Sequence, residues 1–379
     1  APIRCSILKE KRAMRYTQIA DTEVEQRLSE GLAGIAADMA ALKPAQRPLA
    51  VYLGGGYGRG DGGVALQQNG SRTLYNDLDF FVFGKNALHC RTIDRALQPL
   101  HVKWSEILDV EVEFSAAKTK NRLSGIVSTL MFQELLQGHQ QIFGDRDVLQ
   151  ELPRLLPEEL PPVEGIRLFL NRGAGLLFAA QRILAESGMT AKQRDFAVRN
   201  LHKAVLGCAD GLLLTQHRYC WKSSERLQEL NKSGLPFAGE LAEAYAQALA
   251  FKAQPRPDTE SDLLQRCEQI RLLWRRCLLF AVAGEKGESI RKLAELRGGL
   301  LHSRFECCDS PLRNALRWLL KTARPLPLRQ LTVLPLLRVL LELCEILFEN
   351  PIGGNYINQD FFSHAKSYDD FVKHWGIFN

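Results

Sequence analysis

The 379-residue chain has no uncharged apolar run of about eighteen residues, so no membrane-spanning helix is legible in it. Its first residues, Ala1-Pro2-Ile3-Arg4-Cys5, lack the long apolar core of a secretory signal. Nine cysteines are scattered without Cys-x-x-Cys spacing, and Cys307 and Cys308 are adjacent. An odd, unpatterned set excludes a disulfide framework and a cysteine-based zinc site, and predicts a cytoplasmic protein. Repeats and low-complexity tracts are absent. No glycine run ends in Gly-Lys-Ser/Thr, which excludes a Walker phosphate loop. Net charge is only +6, but residues 271–338 hold fourteen Lys or Arg against five Asp or Glu. Much of that excess falls at helical spacing opposite leucines, the pattern of a solvated helix face. With 46% hydrophobic residues, the chain can bury two or three ordinary cores.

What is present begins with two aspartates one residue apart, in Asn76-Asp77-Leu78-Asp79-Phe80-Phe81-Val82-Phe83. The apolar run reads as a strand, so Asp77 and Asp79 project to one face, roughly 7 Å apart. Aspartate is depleted in strands, and like charges so close repel unless a cation lies between them. A divalent metal meets that need. Upstream, Leu49–Leu53 reads as a buried strand running into Gly54-Gly55-Gly56-Tyr57-Gly58-Arg59-Gly60-Asp61. A glycine-dense turn lets backbone N–H groups approach a phosphate, and Arg59 adds a positive charge. Downstream, Ile107–Phe114 alternates, placing Val110, Val112 and Phe114 on one face and Asp109, Glu111 and Glu113 on the other.

Gly55-Gly56, then Asp77-Leu78-Asp79, then Val110-Glu111-Val112 resembles the nucleotidyltransferase superfamily typified by DNA polymerase beta. The glycine turn is most similar to that of bacterial protein uridylyltransferases, and Val110–Phe114 to the third strand of kanamycin nucleotidyltransferase. Gly138–Asp145 is similar to the segment that closes many bacterial members. The resemblance covers roughly residues 45–150. It implies an α+β fold, with a small mixed sheet and flanking helices followed by a large all-α region. It also implies Mg²⁺- or Mn²⁺-dependent transfer of an NMP from an NTP, ATP first among them, with release of pyrophosphate. Asp77, Asp79 and Glu111 would be the metal ligands and catalytic acids, with Glu113 the rival third carboxylate. Gly55, Gly56, Tyr57, Gly58 and Arg59 would bind nucleotide. The helical region often closes over the nucleotide in this family, which makes Lys203 a candidate phosphate contact.

The sequence departs from the family in the twenty residues between Gly56 and Asp77, which predict an inserted loop or hairpin over the site. Nothing identifies the acceptor, a small molecule or a protein. Nucleic acid is possible but not favoured, and no membrane is expected.

Helical periodicity predicts helices over 22–41, near 91–100 and over 123–137, and almost throughout from 164. Prolines 153, 157, 161 and 162 predict a linker, giving domains 1–150 and 164–379 about a Pro-rich 151–163. A break at Gln254-Pro255-Arg256-Pro257 would divide the helical part into two subdomains near 254–259. Two other functions stay open. One is a regulatory protein that senses nucleotide without turnover. The other is a toxin–antitoxin type module, since Arg297-x4-His302 is similar to the motif of HEPN ribonucleases.

Overall fold

A computed structural model describes residues 15–67, 69–119, 123, 127–144, 147–150, 152–185, 188–257, 261–284, 312, 316, 319–320, 335–349 and 365–378. The protein is α+β. Its chain divides into two compact units, one of residues up to Leu123 with Leu135–Leu152 and Ala253–Pro255. The other comprises Ser124–Glu134, Pro153–Lys252 and Arg256 onward.

The first unit is built on a mixed sheet of β1 (Ala50–Leu53), β4 (Asp77–Gly84), β5 (Glu111–Phe114), β6 (Lys118–Thr119) and β7 (Gln140–Gly144). Its order is β5-β4-β1-β7, with β6 beside β4. β1 runs antiparallel to both β4 and β7, while β5 and β6 run parallel to β4. Four consecutive buried residues in β1 follow from its central place. Helix α1 (Thr22–Ala41) is capped by Asp21, whose carboxylate accepts from Val24 N at 2.9 Å. Its stripe of Val24, Leu28, Leu32, Ile35 and Met39 is buried. That stripe packs with α3 (Ala87–Leu108) against Val51, Leu53, Leu78, Phe80, Val82 and Val112 on one sheet face. Trp104 and Leu108 of α3 fill the space that Gly34 and Gly31 leave on α1.

A five-residue helix, α2 (Gly55–Arg59), follows β1, and a hairpin of β2 (Val64–Leu66) and β3 (Arg72–Leu74) fills the stretch before β4. The hairpin accounts for the inserted residues. The acidic strand is shorter than its alternation suggests. Ile107 and Leu108 end α3, and Asp109 is its left-handed cap at φ 52°, outside the ladder. Helix propensity carried through from α3 overrode the period-two pattern there. Likewise α4 is confined to Leu130–Gln137 rather than starting at 123. A single turn, α5 (Asp147–Gln150), precedes the prolines.

The second unit is helical: α6 (Val163–Ile183), α7 (Ala191–Thr215), α8 (Ser223–Asn231), α9 (Ala238–Ala253), α10 (Leu263–Ala283), α11 (Pro335–Glu349) and α12 (Ala365–Phe378). Thr190 and Gln193 form a capping box at the start of α7. Phe169, Leu177, Val205, Leu212, Trp274, Leu340 and Phe371 lie in one apolar core. Among the described residues no helix is long and apolar enough to cross a membrane, and six cysteines are free thiols. Arg297 and His302 lie outside the described residues.

Candidate functional site

β4 is one strand with two kinds of surface. Leu78, Phe80 and Val82 belong to the helix-covered core. Asp77, Asp79, Phe81 and Phe83 alternate onto the opposite face, where the acids are half-buried and the phenylalanines buried. The change from carboxylate to aromatic takes place within four residues. Phe81 lies against Gly54, and Phe83 meets Tyr52 edge-on with ring centroids 5.8 Å apart.

Parallel pairing with β5 completes the acidic face. Asp77 stands opposite Glu111 and Asp79 opposite Glu113. Paired residues present side chains to the same side of a sheet, so four carboxylates share one patch at the start of β4. Glu111 and Glu113 are exposed, while Val112 between them is buried. The backbone enters the strand through Asn76 at φ 77°, and the Asn76 amide donates to Asp77 Oδ1.

The glycine turn comes from the end of β1, next to β4. Gly54 N donates to Asp79 O at 2.9 Å, carrying the antiparallel pairing one residue past the strand. Gly55 has φ +59°, and a Cβ there would collide with Asp79 Oδ2. Both facts require glycine, and together they hold the backbone of α2 against the second aspartate. A Cβ at Gly58 would strike the carbonyl of Leu53, so this helical turn lies flat on the strand end. The first N–H groups of such a turn have no carbonyl within it to bond. Arg59, at its last position, packs its stem over Gly138.

Tyr57 is buried, 4% exposed, and its side chain belongs to the hairpin. Its hydroxyl donates to Gly63 O at 2.7 Å and accepts from Tyr75 N at 2.8 Å, bridging the residues that enter and leave the hairpin. Burial pushes the phenol pKa up, and the nearby Asp77 charge adds to the effect. The glycine turn, hairpin base and first aspartate are thus one connected structure.

Eight of the nine residues singled out in the sequence, Gly55 to Arg59 with Asp77, Asp79 and Glu111, lie in the first unit, where the register of β5 with β4 sets Glu111 opposite Asp77. Lys203 lies on α7 of the second unit. The acid two turns along from it, Asp210, is bonded to Arg226 and Tyr245.

The carboxylates are oxygen donors suited to a hard divalent cation such as Mg²⁺ or Mn²⁺. Their side chains do not form a closed cage. Among the described residues no group of three His, Cys, Asp or Glu converges to metal-holding distance. The donor chemistry and shared face fit such an ion, with carboxylate rotation left to bring the oxygens together.

Sequence reasoning missed a polar cluster in the second unit. Arg226 on α8, 7% exposed, donates through Nη1 to Asp210 Oδ2 at 3.1 Å and to the Tyr219 hydroxyl. Tyr245 on α9 donates to Asp210 Oδ1 at 3.0 Å, and Tyr219 donates to Glu134 Oε1 on α4 at 2.9 Å. Burial raises the pKa of the Asp210 carboxyl, with Arg226 pulling it back down. The available signal was one acid inside the apolar run Gly207-Cys208-Ala209-Asp210-Gly211-Leu212. Its partners are too far along the chain to be read with it.

Compared with models of known families, with curated proteins and with solved structures, the chain matches none.

Proposed function

We propose that the first unit transfers a nucleoside monophosphate from an NTP to an acceptor hydroxyl and releases pyrophosphate. The observation that carries this reading is the register of β4 with β5, which sets Asp77 beside Glu111 on the strand that Gly55 approaches at Asp79. Asp77, Asp79 and Glu111 would hold Mg²⁺ or Mn²⁺. Such ions polarise phosphate oxygens and clamp the attacking and leaving oxygens of an in-line displacement.

The chain's own residues do the remaining work. Backbone N–H groups at the start of α2 offer donors to the NTP phosphates, and Arg59 offers charge. Gly55 keeps that backbone close to Asp79. Glu111, exposed at the end of the acidic face, would take the proton of the acceptor hydroxyl. Tyr57 acts through the backbone, fixing the hairpin beside the turn. ATP is the first candidate donor, and the acceptor is a small molecule or a protein.

The test is pyrophosphate release from labelled NTPs with Mg²⁺ or Mn²⁺. Asp79→Asn should lower the rate about 100-fold, since metal stabilisation of transition-state charge amounts to several kcal/mol. Release that persists unchanged in this variant rejects the mechanism.

A further inference from the structure

A buried arginine that serves only structure normally places its donors on acceptors. Arg226 does so on one side alone. Nη1 serves Asp210 and Tyr219, while the guanidinium lies over the Tyr219 ring, 4.8 Å from its centroid. Nε is shut away from solvent and has no hydrogen-bond partner among the described residues. Nη2, which shares the Nε edge, makes none of the cluster's hydrogen bonds. That edge is the fork with which arginine grips two oxygens at once.

The surroundings keep the fork in place. Asp210 is anchored by Tyr245 and holds Nη1, and the Tyr219 hydroxyl is tied to Glu134. Rotation of the guanidinium would break these bonds. Asp210 neutralises Arg226, and the other charges that act on Asp210, Glu134 and Lys252, oppose one another. An unpaired donor on a buried charged group is costly, and a lysine could serve Asp210 without that penalty. The arrangement suits a residue whose second edge has a partner of its own.

We propose that the Nε–Nη2 edge of Arg226 is a binding subsite for the carboxylate or phosphate group of a small ligand, with Asp210, Tyr219 and Tyr245 as positioning residues. The ligand oxygens accept two parallel charge-assisted hydrogen bonds, and no covalent step is involved. The proposal is independent of nucleotidyl transfer in the first unit.

The experiment uses the full chain, with acetate and inorganic phosphate as probes in calorimetric titrations. Stronger binding of one probe identifies which oxyanion the subsite takes. Arg226→Lys keeps the charge and the Asp210 pair but removes the fork, so the preferred probe should bind roughly tenfold more weakly. Equal binding by both forms, or no binding of either probe by wild type, overturns the proposal. A tungstate soak of wild-type crystals needs no variant. Density on the Nε–Nη2 edge supports the subsite, and an ordered water alone at Nε overturns it.

Discussion

The two polar centres of this protein are built in opposite ways. The acidic face of the first unit gathers like charges at a partly exposed sheet end, with β4 and β5 supplying all four carboxylates. The cluster of the second unit pairs opposite charges inside a helical core, drawing Glu134, Asp210, Tyr219, Arg226 and Tyr245 from separate segments. Like charges gathered at a surface destabilise a fold unless something is bound there. Opposite charges satisfied within a core help to specify it. The first arrangement concentrates charge that a bound cation would relieve, and the second is architecture with one edge of Arg226, Nε and Nη2, left outside its hydrogen bonds.

Substitutions separate the two centres by what they cost. Asp210→Ala leaves the Arg226 charge buried without its counter-ion and should lower unfolding free energy by about 3 kcal/mol in urea melts. Tyr57→Phe strands Gly63 O and Tyr75 N at the base of the hairpin. A loss of about 1–2 kcal/mol should follow, with hydrogen exchange speeding up more at the Tyr75 amide than at the amides of β4. Glu111→Gln removes one of four crowded acids. Stability should stay within about 0.5 kcal/mol of wild type or rise slightly, while pyrophosphate release falls. A large loss of stability in Glu111→Gln would place the acidic face with the structural centre and erase the contrast.

The same contrast explains what the sequence made legible. Asp77-x-Asp79 lies on one strand, where alternation alone puts both acids on a face. Glu111 was readable because its strand alternates too, and the glycines announced a tight turn. Thr22–Ala41 was legible from its apolar stripe and agrees with α1 at both ends. The start of β5 was not, because α3 continues to Leu108 and the chain turns only at Asp109. α8, with its charged Ser223–Asn231 sequence, has few apolar positions and gave little periodic signal. The Arg226 cluster was out of reach for a different reason. Its members span Glu134 to Tyr245, and only tertiary packing brings them together.

The place of β1 in the sheet has a consequence for synthesis. Its two neighbours, β4 and β7, both follow it in the chain, and β7 ends only at Gly144. A nascent chain that has already made β1 therefore carries an unpaired strand edge until β7 leaves the ribosome, roughly 5–20 s later at ordinary translation rates. Four apolar residues with open backbone groups are a template for wrong pairing during that interval. Among the described strands of the unit the last made is thus the one that covers this edge of β1, and chain termination before Gly144 should yield a product that aggregates.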